Sequence, residues 1–246
     1  MPRFFIAKKN IQGNRGIVVG DEVDHLRKVL RLGAGDSVTL FDDEGREHTA
    51  VIRDLRGGEA EVEILSSYPT ERESPLQVAL ALALTKGEKM DWVVEKATEL
   101  GVHTIIPFVS KRTVPKLDDR KIAKRGERWQ KIALSAAKQC GRTRVPAILP
   151  LSDFHELIEQ PRSDTLKLLF WEQETRRTLK EVHASRAAAT SILLVIGPEG
   201  GFSSEEASLA IAHGFQSIHL GRRILRAETA AITAISLVQF LWGDLG

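Results

Sequence analysis

The segment Leu193-Leu194-Val195-Ile196-Gly197-Pro198-Glu199-Gly200-Gly201-Phe202 sets the terms for the rest of the chain. Its apolar half, cut off by glycines and a proline, reads as a buried strand, which needs cover on both faces. The glycines that follow remove Cβ atoms, so that a ligand can approach the main chain. Ser203-Ser204-Glu205-Glu206 then supplies an N-cap serine with Glu206 three residues on, a capping box that opens a helix to about His213, ended by Gly214. Gln216–Leu220 reads as a second short strand, followed by a second polar loop and a long apolar helix, Glu228–Trp242. Two such units in succession predict neighbouring parallel strands, with both loops at the carboxyl edge of one sheet. A tight turn is the plain alternative for Gly197–Gly201. A phosphate cradle fits poorly: G-x-x-x-x-G-K-[ST] and G-x-G-x-x-G are both missing, and Glu199 puts an anion where phosphate would sit.

Upstream the pattern changes once. Residues 1–70 read as a small β domain: strands Arg3–Ala7 and Gly16–Val19, a hairpin from Ser37–Phe41 and Glu47–Leu55, and Glu59–Leu65, where Ala60, Val62 and Ile64 alternate with glutamates. Asp21 opens its one helix, with Val23, Leu26, Val29 and Leu30 as the inner stripe and His25, Lys28 and Arg31 sharing one side. Ser66–Ser74 is polar, holds Pro69 and precedes Pro75, so it reads as a linker. From Leu76 onward strands and helices alternate: Leu76–Leu84, a helix Met90–Leu100 with Trp92, Val93, Ala97 and Leu100 inward, Thr104–Phe108, and later Leu166–Trp171 with Glu172-Gln173-Glu174 as its exit loop. That alternation predicts an α/β domain over residues 75–246, built on a mostly parallel sheet with helices on both faces.

Charge is uneven along the 246 residues. The net charge is only +2, yet residues 75–150 carry 15 Lys/Arg against 7 Asp/Glu, while both flanks are acidic. Twelve of those cations lie in Lys111–Arg144, including Arg112, Lys116, Arg128, Arg142 and Arg144. This is either a polyanion-binding surface or a solvated helix face. Cys140 is the only cysteine, so an internal disulfide and a multi-cysteine zinc site are excluded; it reads as a small buried packing residue. The histidines lack metal-ligand spacing, and no metal is expected. No apolar run reaches membrane-spanning length and the N-terminus has no signal-peptide pattern, which predicts a soluble, cytoplasmic protein.

Gly197-Pro198-Glu199-Gly200-Gly201-Phe202-Ser203, followed by Leu220-Gly221-Arg222-Arg223-Ile224-Leu225-Arg226-Ala227-Glu228-Thr229-Ala230, resembles the cofactor-binding end of the SPOUT methyltransferases. Within them it is similar to the branch that methylates uridine N3 in 16S ribosomal RNA, and the resemblance covers essentially the whole chain. It implies a trefoil-knotted SPOUT domain, a PUA-like N-terminal β-barrel that helps hold RNA, a homodimer, S-adenosylmethionine as cofactor, and 16S rRNA or the small ribosomal subunit as partner. The cofactor would be held by three walls: Leu169, Phe170 and Trp171; then Ile196, Gly197, Glu199, Gly200 and Gly201; then Leu220, Gly221, Ile224, Leu225, Arg226, Thr229 and Ala230. Gly197, Leu220 and Leu225 are the expected main-chain contacts.

Methyl transfer of this kind needs positioning more than a covalent intermediate. Uracil N3 must lose a proton before it can attack, so a cation near the uracil oxygens and a nearby base are wanted. Arg226 is the candidate cation and Glu228 the candidate base or orienting partner; the plain alternative is a pair that only shapes the loop. RNA contacts are expected from the basic segment (Arg112, Arg128, Arg142, Arg144), from Lys86, and from His25, Lys28 and Arg31. Two other readings stay open: a non-catalytic RNA-binding protein, and a SPOUT enzyme acting on another RNA or on a ribose 2′-oxygen.

Overall fold

The computed structural model describes residues 1–113 and 118–246, so Lys116 of the basic segment lies outside it. The chain divides into two compact units, Met1–Glu73 with Ala137–Val145, and Ser74–Ala136 with Pro146–Gly246.

The first unit holds β1 (Arg3–Phe5), β2 (Ile11–Gln12), β3 (Arg15–Val19), α1 (Asp21–Asp24), β4 (Ser37–Phe41), β5 (Arg46–Arg56) and β6 (Glu59–Pro69). They form one sheet in the order β1-β4-β5-β6-β3-β2, antiparallel except that β1 runs parallel to β4. Period-2 alternation puts Val38 and Leu40, Ala50 and Ile52, and Ala60 and Val62 into one core with Phe4, Val23 and Leu26.

Three expectations fail in this unit. After Asp24 the helix widens into a π-type turn over His25–Val29, closed by the Leu30 amide donating to the His25 carbonyl at 3.1 Å. A π turn advances fewer degrees per residue than 3.6-residue winding, so the apolar stripe breaks. Val29 is left 67% exposed and Leu30 is exposed too, while Arg31 sits beyond the helix at φ 54°. His25, Lys28 and Arg31 therefore form no single row. The expected linker also begins late, because β6 runs on to Pro69 against the long partner β5, with Pro69 opposite Arg46. Cys140 is exposed, in the last turn of a helix, and not a buried packing residue.

The segment Ala137–Val145 is held to the rest of this unit by buried ionic contacts. Arg3 donates to the carbonyls of Ala137 (3.0 Å) and Arg142 (2.6 Å), and its Nε donates to Glu47. Glu73 accepts from the Arg142 guanidinium twice and from the amides of Thr143 and Arg144.

The second unit contains β7 (Gln77–Ala83), α2 (Lys89–Glu99), β8 (Thr104–Val109), α3 (Asp119–Cys140, whose final turn belongs to the first unit), β9 (Ala147–Ile148), β10 (Ser152–Asp153), α4 (Phe154–Glu159), β11 (Leu166–Phe170), α5 (Leu179–Ser185), β12 (Ser191–Ile196), α6 (Ser204–Ala212), β13 (Gln216–Ile218) and α7 (Ala227–Trp242). The strands pair in parallel in the order β10-β8-β7-β12-β11-β13, with β9 on β8. β12 and β13 are thus not neighbours. β12, apolar from Ile192 to Ile196, takes the centre between β7 and β11, and β13 lies at the edge beyond β11.

One face of this sheet packs Phe108, Leu169, Leu193 and Val195 against α4, α6 and Phe202. On the opposite side α7 packs on β7, β12 and α2. Buried Gln239 of α7 ties that layer together: its amide donates to the Leu100 carbonyl (2.9 Å) and accepts from Ser74 (2.8 Å). In α2 the buried stripe is Met90, Val93, Val94, Ala97 and Thr98, the i, i+3, i+4, i+7, i+8 set. Trp92 falls off that stripe and is exposed, not inward as the spacing suggested. Among the described residues no helix is long and apolar enough to cross a membrane, and no group of three His, Cys, Asp or Glu could hold a metal ion.

Candidate active site

Parallel strands place their exit loops on one edge, and β11, β12, β13 and α7 converge there around a cleft of about 450 Å³. Its walls are Phe170, Trp171 and Glu172 after β11, Ile196–Gly201 after β12, and Ile218–Ala227 after β13, with Ala230 from α7. The capping box is formed as the spacing implied. The Ser203 hydroxyl accepts from the Glu206 amide and Glu206 accepts from the Ser203 amide; Glu206 also takes the Lys111 amide at 2.9 Å, which fastens the β8 exit to the start of α6.

The glycines are used for close approach. A Cβ on Gly197 would stand 3.0 Å from the ring of Phe202, which is fully buried between Phe108 and Phe154. Gly201 has φ 67°, and a Cβ there would run into the Glu172 carboxylate. Arg112 lies across Gly200 and donates to its carbonyl at 2.9 Å. On the β11 side, Glu174 accepts from the amides of Thr175, Arg176 and Arg177 and from the Ser217 hydroxyl, which fixes the exit loop against β13. Ser217 first, and then those amides, hold its carboxyl at about 2, against burial that would raise it.

Charge at the rim is organised by a residue the spacing did not single out. Lys89, opening α2, lies 3.2 Å from Glu199 Oε1 and 3.5 Å from Glu228 Oε2. Glu199 also accepts the Lys86 amide. Burial would raise the Glu199 carboxyl, but that amide and the Lys89 ammonium more than offset it and leave it below the ordinary carboxylate range. Glu228 Oε2 is buried and has no hydrogen bond beyond this ion pair, and the indole N–H of Trp171 is buried in the cleft wall with no acceptor. Two unsatisfied polar atoms at one cleft are available to a bound ligand.

Most of the expected lining residues meet here: Phe170, Trp171, Ile196, Gly197, Glu199, Gly200, Gly201, Leu220, Gly221, Ile224, Leu225, Arg226 and Ala230. Two do not. Leu169 points to the α4–α6 core, since it alternates with Phe170, and Thr229 sits exposed on α7 outside the lining. Glu228 pairs with Lys89 and not with Arg226, whose side chain is exposed. Lys89 was not foreseen because its partners are far away in the chain; the one signal was its place just after the β7 exit.

The expected RNA contacts scatter. Lys86 and Arg112 are exposed beside the cleft edge, and Arg128 is tied to Asp91 and Glu88 of the α2 region. Arg144 is exposed; Lys28 pairs with Asp24 at 2.9 Å; His25 stacks edge-on to Phe4. Arg142 is only 4% exposed and clamped on Glu73, so its guanidinium is a structural ion and not a surface contact.

The parallel-stranded domain with this glycine-lined cleft, and the separate small β module, both match domains of RNA methyltransferases. Residues 72–239 match the model of the RNA methyltransferase domain, and residues 20–65 that of the RNA methyltransferase PUA domain. The ribosomal RNA small subunit methyltransferase E of Bacillus subtilis (strain 168) is 32% identical over 98% of this chain and 96% of its own length; that of Synechocystis sp. is 35% identical over 97% and 77%. The crystal structure of the Neisseria gonorrhoeae protein of that name, bound to S-adenosyl methionine, superposes with a TM-score of 0.90 at 37% identity, covering all of both chains. The chain belongs to the ribosomal RNA small subunit methyltransferase E family.

Proposed function

We propose that this enzyme binds S-adenosylmethionine in the cleft between the β11, β12 and β13 loops and methylates N3 of a uridine in 16S rRNA, free or within the small subunit. The observation that carries this is the convergence of three exit loops on one cleft whose walls are mostly main chain and apolar side chains, with the orphaned Trp171 N–H inside and the Glu199–Lys89–Glu228 cluster at the rim. Main-chain groups and apolar walls suit a nucleoside, and the carboxylates suit its cationic sulfur centre. When bound, the cofactor supplies an electrophilic methyl group on a sulfonium. The protein's part is positioning and proton management. Arg226, exposed at the mouth, faces the developing charge on the uracil oxygens, and Glu228 accepts the N3 proton, with Lys89 holding that carboxylate in place.

The remaining assignments follow the same reading. Residues 1–70 act as the RNA-holding module and 75–246 as the catalytic domain. Trp92 on α2 and Leu237 and Phe240 on α7 are exposed apolar residues on two helices that pack together, as a homodimer face would require. A ribosomal RNA substrate supports a cytoplasmic location. The test is single-turnover methylation of 16S rRNA by Arg226→Ala and Glu228→Gln, with S-adenosylmethionine affinity measured separately by calorimetry and the product mapped by mass spectrometry. Rates should fall by about 100-fold or more at near-normal affinity. Near-normal rates would end the residue assignment, and a wild-type protein that gives no binding heat would end the reading itself.

A further inference from the structure

The loop between β13 and α7 carries more positive charge than a cofactor pocket needs. Arg222, Arg223 and Arg226 fall within five residues, all are exposed, and among the described residues none of their side chains makes an ion pair or hydrogen bond. Arg15, Arg53, Arg56 and Arg128 are paired with carboxylates. Other exposed arginines such as Arg27, Arg120 and Arg186 make no ion pair among the described residues but stand apart from one another; what distinguishes this loop is three such arginines within five residues. Three clustered cations without a counter-charge repel one another, and the start of α7 beside them adds the positive end of a 16-residue helix whose N-cap, Arg226, supplies no capping side chain. In the midst of them Ile224 is 84% exposed, the largest exposure of any big apolar side chain among the described residues. The loop is also one lip of the cleft. The other lip has its own exposed cation, Arg112, lying over Gly200.

We propose that Arg222, Arg223 and Ile224 form an RNA-gripping lip, the two arginines holding phosphates of the strand that flank the target nucleotide and Ile224 supporting an unstacked base. The proposal deepens the methyltransferase reading and rests on it for the identity of the polyanion. Single-stranded RNA is the partner that fits best, since it offers closely spaced phosphates beside exposed apolar base faces. The same loop also lines the cofactor cleft, so the two roles share Ile224, while the side chains of Arg222 and Arg223 are exposed.

The experiment uses the full-length protein and two RNAs, a fluorescein-labelled single-stranded oligouridine and a 16S rRNA transcript, with affinity read by anisotropy or filter binding across a salt series. Arg222→Gln with Arg223→Gln should weaken RNA binding about tenfold and reduce the log–log salt slope by about 1.4, at about 0.7 for each phosphate that is no longer neutralised. Arg222→Lys with Arg223→Lys should restore the slope. Ile224→Ser should weaken binding without changing the slope. S-adenosylmethionine affinity by calorimetry should fall less than RNA affinity in the two arginine variants, whose side chains are exposed, and Ile224→Ser, at a residue that also lines the cleft, is compared with wild type at saturating S-adenosylmethionine. Wild-type RNA affinity and slope in the glutamine variant would overturn the inference while leaving the methyltransferase reading intact. A cofactor affinity that falls in step with RNA binding in the arginine variants would overturn it too, as would a change in sedimentation mass for Ile224→Ser, which would make the loop a subunit contact. Loss of methyl transfer in the wild type would instead fail the underlying reading, with the RNA measurements still deciding the lip.

Discussion

The ammonium of Lys89 stands 3.5 Å from a buried oxygen of Glu228 that has no hydrogen-bonding partner of its own. An ammonium so placed fixes a carboxylate that would otherwise be free to turn, and the same nitrogen reaches Glu199 at 3.2 Å. Lys89→Met should therefore slow single-turnover methylation at least tenfold, about 1.4 kcal/mol in the barrier. Lys89→Arg should recover part of the rate. The Glu199 carboxyl, held low in part by this lysine, should move up toward its ordinary range in Lys89→Met, which carboxylate NMR would read. An unchanged rate with unchanged Glu199 titration would show that the cluster is inert.

Gly197 is set by a ring, not by its own backbone angle. Its missing Cβ would press on Phe202, which Phe108 and Phe154 hold from behind. Gly197→Ala should cost about 1–3 kcal/mol of stability, the usual penalty for overpacking, and weaken cofactor binding by displacing the β12 exit loop. Paired with Phe202→Leu, which frees space, the substitution should cost less than the two single effects added. Additive costs in denaturant unfolding would contradict the ring contact.

Glu174 gives the cleft a pH dependence. Its carboxyl is held at about 2 when folded against an ordinary value of 4.5. A depressed folded value contributes stability above the unfolded value, and that contribution is lost as pH falls from about 4.5 toward about 2. Thermal unfolding of wild type and Glu174→Gln should thus differ most near neutrality and converge on acidification through that window. Parallel curves down to the acid limit would mean that Ser217 and the three amides do not hold the charge.

Arg142 and Glu73 are both largely buried, with the guanidinium bound at 2.8 and 3.0 Å. Removing one partner strands the other's charge, which typically costs about 3–5 kcal/mol. Glu73→Ala and Arg142→Ala should each lower the unfolding midpoint sharply, and Arg142→Ala at a permissive temperature should leave the salt slope of RNA binding unchanged. A slope reduced by about 0.7 would make Arg142 a phosphate ligand after all.

What could be read from residue order was what depends on neighbours in the chain. β7, β11 and β12 announce themselves because a strand buried on both faces is apolar throughout, and Ser203–Glu206 because a capping box is complete within four residues. Leu169 reads as a cleft residue and lies in the core instead, because period 2 sends adjacent side chains to opposite faces and β11 is apolar on both. β12 and β13 are separated by β11, not adjacent as expected, because succession in the chain does not fix adjacency when a third parallel strand is available. Arg142 looked like a surface cation since Glu73, its partner, lies 69 residues earlier. His25–Arg31 looked like an α-helical row because a π turn leaves no mark on composition.

The chain leaves its first unit at Glu73 and comes back to it for Ala137–Val145, where Arg3 and Glu73 take hold of the returning strap. The N-terminal module is thus not a bead that can be snipped from its string. A fragment ending at residue 73 would lack nine residues that its own side chains were shaped to grip, and any excised or transplanted version has to bring that strap along, by fusion or by circular rearrangement, before it can stand alone.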